Sequence, residues 1–209
     1  FDCILGDLGF SSMQLENPAG GFTYKADGRL DLRLNPRRGK PAAELLNTIS
    51  AGALEKILFD YADEPQAKEI ALAIKAALLP VNTTARLAAA VSEGLKKLDP
   101  EITDTLIKKA LQRTFMALRI AVNEELSVLD RFLDILPWCL KPGGRVAILS
   151  FHSGEDRCVK KAFLRGEEAG IYSKIAPSPA RPSPEERRGD PRSACAKLRW
   201  AVRSAKSVQ

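Results

Sequence analysis

Apolar and polar positions divide the chain into a strand-bearing beginning, a helical middle and a strand-bearing end. Residues 1–5, FDCIL, form a mostly apolar run that stops at Gly6-Asp7-Leu8-Gly9, the pattern of a buried strand entering a loop. From Gly20 to Pro41 the residues Gly, Pro and Arg accumulate without a sustained period, which predicts a long connection. From about Ala42 to Leu140 the period turns helical: AAELLNTISAGALEKILFDYA, PQAKEIALAIKAALL, TTARLAAAVSEGLKKL and a long run from Ile102, with Pro65 and Pro80 as a helix start and stop. In the last run Leu111, Phe115, Leu118, Val122 and Leu126 recur at three- and four-residue steps and predict one core-facing stripe.

LKPGGRVAILSFHS reads as a helix end, a Pro-Gly-Gly turn and the buried strand Arg145–Leu149, and SGEDRCVKKAFLRG as a further helix. Residues 173–194 hold too much Pro and Ser to predict regular structure. KLRWAVR then alternates as a half-buried strand, with Leu198, Trp200 and Val202 expected inward and Lys197, Arg199 and Arg203 outward. Strands at both ends with helices between them predict an α/β fold. Its sheet domain comprises residues 1–22 and 125–209, and a helical domain, residues 23–124, is inserted into it. In open α/β sheets ligands sit beyond the carboxyl ends of strands, and Asp7 and His152 each follow such an end.

Composition narrows the class. A chain of 209 residues, 45% hydrophobic, can bury a real core, and no segment approaches the roughly 18 or more apolar residues of a membrane helix. Four cysteines without a C-x-x-C pair and a single histidine offer no zinc ligand set, so no metal is expected, and reduced thiols point to the cytoplasm. Net charge is +6, most of it in residues 181–209, where Arg181, Arg187, Arg188, Arg192, Lys197, Arg199, Arg203 and Lys206 face only Glu185, Glu186 and Asp190. Such an end suits a polyanion such as nucleic acid, with a solvated basic tail as the competing reading.

The candidate chemistry lies at the two strand ends. Ser153 followed three residues later by Asp156 matches a capping box, and His152 sits beside the positive end of that helix, where neutral imidazole is favoured. A Ser-His-Asp hydrolase is disfavoured, because adjacent residues leaving a strand point apart and no G-x-S-x-G elbow occurs. Arg157, Lys160, Lys161 and Arg165 share a helical face suited to phosphate or to solvent. In GDLGFSSMQ an acidic residue between glycines suits a closely approaching ligand, or an ordinary turn.

Five blocks in order, DCILGDLGFSSMQL (2–15), GGFTYKADGRLDLRLNPRRGKPAAELLN (20–47), QRTFMALRIAVNEEL (112–126), LKPGGRVAILSFHSGEDRCVKKAF (140–163) and DPRSACAKLR (190–199), resemble the bacterial 16S ribosomal RNA cytosine-N4 methyltransferase family, RsmH, formerly MraW. The resemblance implies a Rossmann-like methyltransferase sheet, partial here, with a helical insertion. It implies S-adenosylmethionine as cofactor, methylation of a cytidine amine in the decoding region, and the small ribosomal subunit with its 16S RNA as partner; a homodimer is compatible with it. Asp7 and Gln14 match the family's cofactor contacts. The FHS-x-EDR signature maps onto Phe151, His152, Ser153, Glu155, Asp156 and Arg157, with His152, Ser153 and Asp156 expected to be catalytic and His152 to accept or relay a proton. Phe151, Arg157, Lys160, Arg113, Arg119, Arg192, Lys197 and Arg199 are expected to contact RNA. The family's amino-terminal section with its glycine-rich cofactor loop has no counterpart and no G-x-G-x-x-G occurs, so the chain is expected to be a fragment of the full enzyme, or else a noncatalytic RNA- or ribosome-binding remnant.

Overall fold

The computed structural model describes residues 1–9 and 20–205. The chain divides into two compact units, one made of Phe1–Gly9 with Leu126–Gln209 and the other of Phe10–Glu125.

The first unit is an α/β layer. Strand β1, Cys3–Asp7, pairs in parallel with β2, Arg145–Ser150, so that Cys3 lies opposite Arg145 and Asp7 opposite Leu149. Strand β4, Lys197–Arg203, runs antiparallel to β2 and to β3, Tyr172–Ile175, which gives the order β1-β2-β4-β3. Helix α6, Glu125–Cys139, presents Leu129, Leu133 and Leu136 at helical steps, and α7, Ser153–Glu168, presents Val159 and Phe163; all are buried with Val146 and Ile148 of β2. Each such side chain taken from water contributes about 1.5–3 kcal/mol, so these stripes hold both helices to the sheet. Gly6 belongs to this packing: a Cβ there would lie 2.7 Å from Cδ1 of Ile148, so this glycine makes room for core rather than for a ligand.

Three expectations for this unit are corrected. Strand β1 is not buried: it lies at the edge of the sheet among the described residues, its positions are exposed or half-buried, and Leu5 is 70% exposed. Residues 173–194 are not irregular: β3 forms, Pro184–Gly189 make the short helix α8, and Pro191–Cys195 make a 3-10 turn. In β4 the inward face is reversed, since Arg199 and Ala201 are buried while Leu198, Trp200 and Val202 are half-buried. The cause is a counter-charge: Asp156 on α7 meets Arg199 from above the sheet, which makes burial of the guanidinium tolerable.

The second unit is helical. Its helices are α1 Ala42–Thr48, α2 Ala51–Ala62, α3 Ala67–Lys75, α4 Thr84–Leu98 and α5 Asp104–Asn123. The segment expected as one helix from Ala42 breaks at Ser50, whose Oγ accepts the Ala53 N–H at 3.2 Å and restarts the chain as α2. Leu54, Leu58, Ile70, Leu87, Leu95, Leu111, Phe115 and Leu118 share one core. The predicted stripe of α5 holds through Leu118, with Val122 half-buried, and stops short of Leu126 because Glu124 turns left-handed, φ 52°, and ends the helix. No helix among the described residues is long and apolar enough to cross a membrane.

Candidate functional site

The parallel pair β1 and β2 sets the geometry. Leu8 N–H donates to Leu149 O at 3.0 Å, one residue past the end of β1, and Gly9, φ 101°, then bends the chain in a conformation that a side chain would strain. Asp7 is therefore delivered, exposed, to the carboxyl end of the parallel pair. Its carboxylate has no ion pair among the described residues, so its acceptor capacity is open.

On the adjacent strand the signature forms a tight cap. His152, not Ser153, is the N-cap of α7: its Nδ1 accepts the Glu155 N–H at 3.4 Å. Glu155 Oε2 returns the contact, accepting from the N–H of Phe151 at 2.8 Å and of His152 at 3.3 Å. The capping box thus lies one residue earlier than Ser153 and Asp156 predicted, because an imidazole nitrogen can replace a serine oxygen as acceptor. Nε2 is buried 3.1 Å from Glu155 Oε1. An accepting Nδ1 requires the ring's proton on Nε2, facing that carboxylate. Burial pushes the pKa of Glu155 up, but His152 and the two amides outweigh it and leave the carboxyl below its usual range.

Asp156, one residue on, turns to the sheet. Its Oδ1 accepts from Arg199 Nε at 2.6 Å, and its Oδ2 from Arg199 Nη2 at 3.3 Å and Lys197 Nζ at 3.2 Å. Desolvation raises this carboxyl's pKa, and the two cations more than reverse that, leaving it below the ordinary value. The pairs pin the first turn of α7 to β4.

The other expected site residues separate into groups. Phe151 is half-buried at the exit of β2; Arg157 and Lys160 are exposed along α7, and Arg192 is exposed in the 3-10 turn, its Nε 3.3 Å from Asp190 Oδ1. In the helical unit Arg113 Nε bonds the fully buried Glu64 at 2.6 Å, and Arg119 grips Glu125 through two bonds of 2.8 and 3.0 Å. Ser153 is exposed at the first position of α7, and Gln14 lies outside the described residues. Glu155 and Glu64 had no role assigned from sequence. Glu155 was legible in principle, as a glutamate three residues after a polar residue that precedes a helix.

A parallel strand pair that offers an acidic residue at its carboxyl end, continued by a last strand running the other way, is the arrangement of a Rossmann-like α/β unit. Comparison with known proteins agrees. The chain belongs to the MraW methylase family, whose model matches residues 1–204. It is 49% identical to ribosomal RNA small subunit methyltransferase H 1 of Agathobacter rectalis over 98% of this chain and 59% of that protein. The corresponding protein of Lachnoclostridium phytofermentans is 48% identical over 98% of this chain and 57% of its own length, and methyltransferase H of Acidobacterium capsulatum 40% identical over 96% and 65%. The chain therefore spans about three-fifths of the length of these relatives.

Proposed function

We propose that the chain takes part in methylating the exocyclic N4 amine of a cytidine in the decoding region of 16S ribosomal RNA, in the cytoplasm, with S-adenosylmethionine as methyl donor. The observation that carries this reading is the family match over residues 1–204, with relatives named for small-subunit ribosomal RNA methylation. When bound, the cofactor supplies an electrophilic methyl group on a sulfonium sulfur. Asp7 suits a ligand rich in donors, since its exposed carboxylate can accept hydrogen bonds from hydroxyl or amine groups at a strand end.

The signature residues act by position. Neither ring nitrogen of His152 is open to solvent: Nδ1 closes the helix cap and Nε2 is buried against Glu155. In this reading His152 and Asp156 fix the start of α7, and with it the exposed Ser153 and Arg157, relative to the strand end that carries Asp7. Alignment of reacting atoms is a large part of group-transfer catalysis, so a rigid frame at this place serves the reaction. Phe151, Arg157, Lys160 and Arg192, the last three exposed, are the residues offered to RNA, and Arg113, Arg119, Lys197 and Arg199 hold the fold through their carboxylate partners.

The test is calorimetric titration of S-adenosylmethionine into this chain and its Asp7→Ala variant, followed by incubation with small subunits and labelled cofactor and digestion to nucleosides. Binding that disappears in the variant, with label recovered as N4-methylcytidine, is expected. Label at another atom refutes the amine assignment. RNA binding without cofactor binding favours the noncatalytic remnant.

A further inference from the structure

The segment 20–41, sequence-predicted as a mere connection, is a built loop with a charged tip. Leu30 and Leu32 anchor it, each 1% exposed. Leu32 holds φ 63°, a conformation uncommon for a residue with a side chain, and such outliers persist only where the surroundings over-determine them. Asn123, at the end of α5, supplies that constraint from both sides: its Nδ2 donates to Leu32 O at 2.7 Å and its Oδ1 accepts the Leu34 N–H at 2.8 Å. Arg33 then closes the loop, bonding Asp31 at 2.6 and 2.8 Å and Gly39 O at 3.2 Å.

Between Arg33 and Gly39 the chain turns about Asn35, whose Oδ1 and carbonyl oxygen accept the N–H groups of Arg37 and Arg38 at 3.0 Å each. Both arginine side chains are exposed at the tip, and neither has an ion pair among the described residues. They differ in this from Arg33, Arg113 and Arg119 of the same unit, each of which is held by a carboxylate. Two adjacent unpaired guanidinium groups on a rigid turn are suited to phosphate oxygens, because the planar fork matches them and little ordering remains to be done on binding.

We propose that the Asn35–Gly39 tip is an RNA-phosphate contact of the helical unit, engaged through Arg37 and Arg38, with Asn123 as its positioning residue. The proposal rests on the reading of small-subunit ribosomal RNA as substrate. The experiment measures binding of the full chain to isolated small-subunit ribosomal RNA across about 50–200 mM salt, comparing R37A/R38A with K108A/K109A. The lysine pair removes the same charge from exposed positions about 22 Å along α5 from Asn123. Loss of two phosphate contacts lowers the slope of log K against log salt by about 1.4–1.8, and the lysine pair leaves it unchanged. Asn123→Ala, which changes no charge, keeps the slope and binds several-fold more weakly. Equal slope changes in both pairs, or none in R37A/R38A while the parent chain binds, overturn the proposal and leave the RNA reading intact. An Asn123→Ala chain that binds like the parent removes the positioning role. A parent chain that does not bind the RNA overturns reading and proposal together.

Discussion

Replacing Asp156 by Asn keeps the shape of the side chain but removes the charge that Arg199 and Lys197 share. Arg199 is 8% exposed, and the carboxylate takes its Nε at 2.6 Å. A charge-assisted bond contributes about 1.5–3 kcal/mol, and stripping one partner from a fully buried pair costs about 3–5 kcal/mol. Here Lys197, on the rim of the cluster with 17% of its side chain exposed, can swing to water, so the loss is chiefly that of Arg199. We expect about 2–3 kcal/mol. The two tryptophans of the chain, Trp138 and Trp200, both lie in the α/β unit, so their fluorescence during urea unfolding reports that unit. With a urea dependence of about 1–3 kcal/mol/M, the midpoint should fall by roughly 1–2 M. A further variant, Asp156→Leu with Arg199→Met, replaces the pair by apolar groups and should recover more than half of the loss. A midpoint shift below about 0.3 M in Asp156→Asn, or a double variant less stable than the single, would refute the reasoning.

The same fluorescence assay should show His152→Ala losing about 1 kcal/mol and His152→Asn losing little, because an amide oxygen can accept the Glu155 N–H as Nδ1 does. Glu64→Ala removes the buried carboxylate that holds Arg113, whose side chain is 29% exposed and can turn to water, and should destabilise the helical unit by about 1.5–3 kcal/mol, read from far-ultraviolet circular dichroism with the tryptophan transition unmoved. Acid should weaken the α/β unit. Glu155 and Asp156 titrate below their ordinary values of 4.5 and 3.8, so the stability they add is fully present above those values and is lost as pH falls through and below them. Unfolding midpoints should hold from neutral pH to about 5 and then drop, with a shallower drop in Asp156→Asn.

Particular residues show what the sequence makes legible. The apolar runs FDCIL and RVAIL announce β1 and β2 as strands, although only β2 carries buried positions, and the heptad-like spacing of Leu111, Phe115 and Leu118 announces α5. The orientation of β4 was hidden, since alternation identifies two faces but a buried ion pair decides which is inward, and Asp156 lies 43 residues from Arg199. Helix α8 was masked by composition although its start was spelled out: Ser183 Oγ accepts the Glu186 N–H at 3.1 Å and Pro184 occupies the first turn. At the site, motif order located the turn between β2 and α7 but not the contacts of each member. Imidazole as a cap acceptor and Asp156 as a sheet anchor follow from distances that spacing alone does not carry.

The pairing of β1 with β2 also imposes an order on synthesis. At roughly 5–20 residues per second a ribosome needs on the order of 10–30 s to make the ~140 residues that separate Cys3 from Arg145. During that interval β2 has not yet been made, while the whole helical unit, with its own core, has been made and can fold as a body. Once folded, that body no longer has the freedom of a flexible loop, so less chain entropy remains to be lost when β1 meets β2. The insertion thus acts as an internal folding aid for the sheet that surrounds it in sequence.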